Sequence, residues 1–524
     1  MQKRTVSLYS IICLLLVSLV LRTVVLGQTF TSDVLESAHT RTLPIGTTRG
    51  KIYACDLSPL VDRAANLIAA VAPCPAAQNA LRTLLGADAA AAITAQGTPQ
   101  AAALPAAINN DFIRTFSVPV RTDNTTPALH LVGTLDSSGN GSAGIEKGCN
   151  DVLRTAGGSL AVRFQVDAAG RALPGGDKVI LDDNFNAPNG VVLTVDPAVQ
   201  TIAETALQHS RIQSGCVLVT EIGSGAIRAM ASVPRFDPQN LSAALQAADT
   251  PLLNKALQAY SAGSVFKPLV AAYALEHGIS PKTTFVCNGS CRVGGTVFHC
   301  WNSKAHGRET MAQALKNSCN TYFIRLMEQL NAGDFLAFCK AIGLGSPTDL
   351  DGGIRGAAGA LPSETALRSP GARANFAFGQ GDLLLTPVQL SAVYHVLATG
   401  DICTPTVLAG MTDDGKTLQP AAPRQRFRLL SAQTVSRLRR LLYAAANSST
   451  ANARSDRCAI AGKTGTAQSG SFQNGVELCR TWFAGFVPAD APRYIVVVMN
   501  EHGSSGNADC APVAREICEA IAAR

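Results

Sequence analysis

Ser261-Ala262-Gly263-Ser264-Val265-Phe266-Lys267, followed by Pro268-Leu269-Val270-Ala271-Ala272-Tyr273-Ala274-Leu275, is the stretch that decides the fold. The apolar run after Lys267 predicts a buried helix, and Pro268 is tolerated because it falls near the first turn. Ser264 stands where that helix would start. Positions i and i+3 share a helix face, so the Ser264 hydroxyl and the Lys267 amine are expected to meet. A serine hydroxyl is a poor nucleophile near neutral pH. It needs a base, and a lysine serves if its pKa is lowered. The helix N-terminus adds backbone N–H groups and a positive dipole end near a developing oxyanion. Taken alone the pattern is common, and most such pairs are a helix cap with a solvated lysine.

Two further elements lie downstream. Ser318-Cys319-Asn320 places a hydroxyl and an amide two residues apart, able to flank a cleft, relay protons or hold a substrate amide; turn and cap chemistry is the plain alternative. Lys463-Thr464-Gly465-Thr466 follows a strand-like run and offers a cation, hydroxyl donors and a side-chain-free position beside which a substrate backbone can lie. Average residue usage produces K-T-G by chance in a chain this long about one time in five. The three elements in this order, each in the local context it needs, are far rarer.

This S-x-x-K, S-x-N, K-T-G set resembles that of the penicillin-binding proteins and serine β-lactamases. The resemblance extends to Asn254-Lys255-Ala256 before the nucleophile, and to Phe378-Gly379-Gln380-Gly381 with Thr386-Pro387-Val388-Gln389. It also takes in Leu193-Thr194-Val195-Asp196 and Ala229-Met230-Ala231-Ser232-Val233-Pro234 at the entry to the domain. Arg49-Gly50-Lys51-Ile52-Tyr53 is similar to the stretch after the anchor of class B members. Class A members carry a glycosyltransferase domain before the transpeptidase, and the stretch between the apolar run and Leu193 shows no such pattern, so class B is the better fit. About 190–524 carries the likeness, 1–60 carries it weakly, and about 60–190 does not carry it. Ala262 stands where many members have Pro, and Cys55-Asp56-Leu57 departs from the usual run.

The resemblance implies an α+β fold, an antiparallel sheet covered by helices, with an N-terminal membrane helix and a small α+β pedestal. It implies a D,D-transpeptidase in which Ser264 attacks the penultimate D-Ala carbonyl of a peptidoglycan stem peptide. Lys267 is then the base, Ser318 passes a proton to the leaving amine and Asn320 holds the donor amide. Lys463 with Thr464, Gly465 and Thr466 binds the donor carboxylate, and the N–H groups of Ser264 and Thr466 resemble an oxyanion hole. Burial and the charge of Lys463 are expected to lower the Lys267 pKa. The chemistry asks for no metal or organic cofactor. The implied partners are stem peptides, β-lactams, the cell membrane and cell-wall synthesis proteins. A D,D-carboxypeptidase, a serine β-lactamase and a β-lactam sensor are the competing readings.

Working outward, Leu8 to Leu26 is an almost wholly apolar run preceded by Lys3 and Arg4. As a helix it would be about 28 Å long, near the thickness of a bilayer core. The flanking charge predicts a cytoplasmic N-terminus and an extracytoplasmic body, with Arg22 snorkelling to the far interface. A cleaved signal peptide is the alternative. The expected organisation is a stub and anchor over 1–28, a pedestal over 29–190 and a transpeptidase domain over 191–524. Within the pedestal, Ala-rich 64–107 reads as short helices. A helix is expected from Pro197 to about His209 with Asp196 as its cap, and a last one from about Ala511 to Ala523.

The 524 residues are 47% hydrophobic and 15% charged, enough for a sizeable core. The net charge of +7 is mild and no long basic run is present, which argues against nucleic acid as a partner. The 15 cysteines are an odd number, leaving at least one thiol unpaired within the chain. Cys287, Cys291 and Cys300 cluster with His299 and His306. A zinc site, a loop disulfide and free thiols are the alternatives, and the lack of a C-x-x-C pair favours the latter two. Cys319 is read as facing the core.

Overall fold

The computed structural model describes residues 2–29, 39–173, 175–473 and 475–524. The expected pedestal over 29–190 therefore lies in part, at 30–38 and 174, outside the described residues. The chain forms two compact units. The smaller comprises 1–49, 64–121 and 157–187, the larger 50–63, 122–156 and 188–524.

In the smaller unit, α1 (Gln2–Thr29) is a helix whose described side chains from Val6 to Val25 are all exposed. Counted over the described side chains, no helix is long and apolar enough to cross a membrane. Strand β1 (Thr40–Thr47) belongs to a three-stranded antiparallel sheet with β5 (Ser159–Gln165) and β6 (Lys178–Asp183). A second antiparallel sheet joins β2 (Ala64–Val71) to β3 (Gln100–Leu104) and β4 (Ile113–Val120). Helices α2 (Pro75–Leu85) and α3 (Ala87–Thr94) connect β2 to β3. The Ala-rich stretch is thus half helix, but its first eight residues are a strand. Alternation explains the departure: Ala70 packs with Ile45, Val162 and Phe164, while Ala69 and Val71 pack with Ala77 and Leu81. Burial on both faces overrides the helical preference of alanine.

The larger unit is built on a five-stranded antiparallel sheet. Its strands are β7 (Gly215–Glu221), β8 (Ile227–Val233), β9 (Ala461–Gln473), β10 (Val476–Val487) and β11 (Tyr494–Gly503), in the order β8-β7-β11-β10-β9. The central strand β11 contains Ile495-Val496-Val497-Val498-Met499, apolar at every position because both faces are covered. Val496 and Val498 pack with Val217, Val219 and Phe483 beneath α4 (Pro197–His209) and the last helix. Val497 and Met499 face the opposite core, which includes Leu269 and Val270 of α5 (Lys267–Glu276). The same core takes in Leu390 and Tyr394 of α7 (Pro387–Thr399) and Leu438 of α8 (Ala432–Ala446). This is the α+β arrangement of a sheet between helical layers.

A cut at 190/191 does not coincide with these units. Ile52, Leu60, Leu131, Ile145 and Leu153 enter the core of the larger unit, and Lys51–Tyr53 pairs in parallel with Gly190–Val192. Val191 lies within the strand Gly190–Leu193, and that strand already has an earlier segment as its neighbour. The last helix, α9 (Gly506–Ala522), begins five residues before its expected start and contains Pro512. Helix α4 has the expected cap, with Asp196 Oδ1 accepting from the N–H groups of Ala198 and Val199 at 2.9 and 3.1 Å. Asp196→Ala is expected to lower stability by about 0.5–2 kcal/mol and Asp196→Asn by far less, read from urea denaturation.

Candidate active site

The nucleophile candidate lies in a tighter element than expected. Gly263–Phe266 is a 3₁₀ turn, and α5 begins only at Lys267, whose N–H donates to the Ser264 carbonyl. In a 3₁₀ turn residues i and i+3 eclipse one another, which keeps Ser264 and Lys267 on one side. Three distant groups pin the turn: Gly379 O accepts from Gly263 N at 2.8 Å, Trp482 Nε1 donates to Ser261 O at 3.0 Å, and Tyr394 OH donates to Val265 O at 3.2 Å. Gly379 has φ of 83°, and a side chain there would collide with the Gly263 carbonyl. This gives the F-G-Q-G stretch its physical reason. The T-P-x-Q stretch is a capping box, with Gln389 N donating to Thr386 Oγ1 and Thr386 N to Gln389 Oε1 at 3.0 Å each.

Lys267 has no exposed surface. Its Nζ donates to Ser318 O at 2.7 Å and Asn320 Oδ1 at 2.7 Å, with Ser318 Oγ at 3.3 Å. Among the described residues these are its hydrogen-bond partners, so the lysine holds the second motif while lying beside the first. Ser318 has φ of 54°, unusual for a side-chain-bearing residue, and Asn320 opens α6 (Asn320–Met327). Asn320 Nδ2 donates to His299 O at 2.9 Å, which orients its amide so that the oxygen faces the lysine.

Burial lowers the Lys267 pKa to about 8, against the pull of nearby acidic groups. Lys463 is also buried, and its Nζ donates to Thr464 O at 2.8 Å. Burial and then the like charge of Lys267 lower its pKa to about 7. The expected depression of Lys267 is present, but the repulsion falls on Lys463. Two such groups titrate as a pair, and near neutrality the pair carries fewer than two protons. Two carbonyl oxygens on Lys267 are satisfied by a neutral amine, which then keeps a lone pair for a hydroxyl.

Lys463, Thr464, Gly465 and Thr466 lie on β9, the outer strand of the sheet, opposite Ala484, Phe483, Trp482 and Thr481. Thr464 and Thr466 are partly exposed, and the Thr466 hydroxyl accepts from Gly506 N at 3.2 Å. A cavity of about 430 Å³ opens beside Lys463 and Thr464 and includes Lys316, Asn317 and His306. The stretch before the nucleophile is held by Lys255, buried and paired with Glu501 at 2.8 Å. The structure thus brings Lys267, Ser318 and Asn320 into hydrogen-bond contact and sets the Gly465 strand against the Ser264 turn.

The sequence did not reveal that Cys319, buried as expected, lies among further thiols. Cys300 Sγ is 3.8 Å from Cys319 Sγ and 3.6 Å from Cys287 Sγ. Cys291 and His299, grouped with them in sequence, stand apart from that cluster. The linear hints are the clustering of Cys287, Cys300 and His306 and the position of Cys319 between Ser318 and Asn320.

Comparison with known proteins identifies the family. The family model described as "Penicillin binding protein transpeptidase domain" matches residues 215–519. The chain is similar to stage V sporulation protein D of Bacillus subtilis, 31% identical over 388 residues, 70% of this chain and 58% of that protein. It is also similar to peptidoglycan D,D-transpeptidase PbpA of Mycolicibacterium smegmatis, 28% identical over 367 residues, 62% of this chain and 70% of that protein. Among solved structures, the ceftriaxone acyl-enzyme of penicillin-binding protein A from M. tuberculosis shares the fold. Its TM-score is 0.67 at 21% identity, over 90% of this chain and 98% of that one. The chain spans less than two thirds of the length of the B. subtilis relative.

A Cβ at Gly465 would lie 2.9 Å from Val265 Cγ1 and 3.2 Å from Val265 N and Ala262 O. The strand and the turn approach this closely only because position 465 has no side chain. Gly465→Val is expected to slow acylation of the protein by a β-lactam by about 10²-fold, the scale of a displacement near 1 Å, with little change in the far-ultraviolet circular dichroism. Stopped-flow kinetics with a chromogenic β-lactam reads it.

Proposed function

The chain belongs to the penicillin-binding protein transpeptidase family and sits among its class B members, and on that premise we propose that it is a membrane-anchored peptidoglycan D,D-transpeptidase. The observation that carries the reading is the buried Lys267 amine, hydrogen-bonded to Ser318 and Asn320 and one turn from Ser264.

In this reading the lone pair of neutral Lys267 takes the Ser264 proton as Oγ bonds to the penultimate D-Ala carbonyl of a donor stem. The N–H groups of Ser264 and Thr466 receive the oxyanion. The peptide bond to the terminal D-Ala breaks, and the leaving nitrogen takes a proton relayed by Ser318. An amine of a neighbouring stem then attacks the acyl-enzyme, loses a proton to the same base and frees Ser264. Asn320 holds the donor amide. Lys463, Thr464 and Thr466 hold the donor carboxylate beside Gly465; Thr466 already accepts from Gly506 N, which leaves its hydroxyl proton free to donate. β-Lactams enter as acylating analogues of the donor, and proteins of cell-wall synthesis are proposed partners. Residues 1–28 are proposed as stub and anchor. The exposed apolar surface of Leu14, Leu15, Leu16, Val17 and Leu19 supports this, because such a surface asks for a non-aqueous partner. Lys3 and Arg4 then stay cytoplasmic and the larger unit is extracytoplasmic.

Mass spectrometry of the penicillin-treated protein tests the assignment. A long-lived adduct on Ser264, absent in Ser264→Ala, is expected; rapid turnover of the adduct would indicate a β-lactamase. The protein is expected in the membrane fraction, released by detergent and retained in high salt. Because both lysine pKa values are lowered and the base must be neutral, acylation should rise with pH through an apparent pKa between about 7 and 8 and level off above it. A profile flat from pH 5 to 9, with chemistry rate-limiting, would exclude a lysine base.

A further inference from the structure

The cavity beside Lys463 is larger than the first half of the proposed reaction needs. It encloses about 430 Å³, a volume in the range of sites that hold whole small molecules. A departing terminal D-Ala would bring it only a methyl group and a carboxylate. The cavity lies on the Lys463 side of the nucleophile. Gly465 is pressed against the turn that carries Ser264, and Lys463 stands two residues back along β9, about 7 Å away at the rise of a strand.

The lining is basic and polar. Lys316 ends the helix Met311–Lys316, and Lys304 follows the 3₁₀ turn Trp301–Ser303. Both lysines are exposed, and among the described residues neither is in an ion pair. Ser448, Thr450 and Asn507 add hydroxyl and amide groups, and among the described residues no Asp or Glu lines the cavity. Lysines gathered without acidic neighbours make a region that favours an anion.

The second half-reaction gives this room a use. Aminolysis of the acyl-enzyme is its formation run backwards with a different amine. The acceptor nitrogen bonds to the acyl carbon, the ester bond to Ser264 Oγ breaks, and one proton of the amine passes through Lys267 to Ser264 Oγ. By microscopic reversibility the entering nitrogen comes in where the leaving nitrogen went out. Whatever that nitrogen carries then takes the place of the terminal D-Ala, beside Lys463, Thr464 and Thr466. A carboxylate on the amine-bearing carbon satisfies those groups a second time. An amine at the end of a plain alkyl chain, or on a glycine whose carboxyl is an amide, leaves them without a charged acceptor. The rest of the acceptor extends past Lys463 into the cavity. Resting on the transpeptidase reading, we propose that this cavity is the acceptor subsite, that it takes an amine borne on a carboxylate-bearing carbon, and that Lys304 and Lys316 select an acceptor whose remaining chain is acidic.

The full-length protein is given N-acetyl-D-alanyl thioglycolate as donor, and the split of the acyl group between water and an added amine is read by liquid chromatography. D-Alanine should capture the acyl group at least about tenfold better than D-alaninamide, Nα-acetyl-L-lysine or glycylglycine, the scale of a lost hydrogen bond to a charged group. D-Glutamate should exceed D-arginine by about two- to tenfold, and the Lys304→Glu, Lys316→Glu double variant should reverse that order. The capture ratio is internal to each reaction, so it does not depend on how fast Ser264 is acylated or on how much of a variant is folded. Equal capture by D-alanine and D-alaninamide, or an unchanged order of D-glutamate and D-arginine in the double variant, would overturn the proposal. So would a donor consumed only by water whichever amine is present, an outcome that leaves acylation of Ser264 standing. A donor not consumed at all would remove the transpeptidase reading itself and this inference with it.

Discussion

A lysine amine with no exposed surface, in the first turn of an apolar helix, is the constraint around which the larger unit is arranged. Bringing an ammonium out of water is costly, and a protein meets that cost by neutralising the group or surrounding it with acceptors. Here both happen. Burial lowers the Lys267 pKa, and two carbonyl oxygens, from Ser318 and Asn320, receive its protons. Those acceptors need their own support. Ser318 is held at positive φ, and Asn320 is turned the right way by the carbonyl of His299. One buried amine thus fixes a helix start, a loop and the peripheral strands beyond it.

The sheet supplies what helices cannot, a straight rigid edge. Strand β9 is paired on one side only, by β10, so part of its backbone is not used by a neighbouring strand. Placing Lys463, Thr464 and Thr466 there offers side chains and backbone groups together to an extended ligand. The close approach of that edge to the Ser264 turn depends on Gly465. Trp482, one strand inward and opposite Gly465, donates to Ser261 O, so sheet and turn are tied by a hydrogen bond as well as by contact.

Much of this was legible in the linear sequence. Asp196-Pro197 announced a capped helix, and the first two motifs named Lys267, Ser318 and Asn320, which meet in hydrogen-bond contact. What escaped has common causes. The strand Ala64–Val71 is disguised by alanines, whose burial on two faces is a tertiary fact. The place of 50–63 in the larger unit depends on a parallel pairing across more than a hundred residues, and that of 122–156 on the burial of Leu131, Ile145 and Leu153 in its core. The partnership of Cys319 with Cys287, Cys300 and His306 joins residues up to 32 positions apart through a turn no local pattern encodes. The spacing did place Ser264 beside Lys267, but it could not say that the lysine would spend its hydrogen bonds on Ser318 and Asn320.

The two lysines suggest how a bound substrate completes the site in the proposed reaction. Near neutral pH, burial of both amines and the like charge felt by Lys463 keep the pair short of two protons. In that proposed reaction a donor stem would bring a terminal carboxylate to Lys463. An anion there favours the ammonium form of Lys463 over its neutral form. A fixed charge on Lys463 then acts back on Lys267 through the same repulsion and favours its neutral form, because a coupling between two sites is reciprocal. The carboxylate therefore moves the proton of the pair to where it binds substrate and away from where a base is needed. A ligand without a carboxylate at that position would leave the proton shared between the lysines, and Ser264 would face a base that is neutral only part of the time.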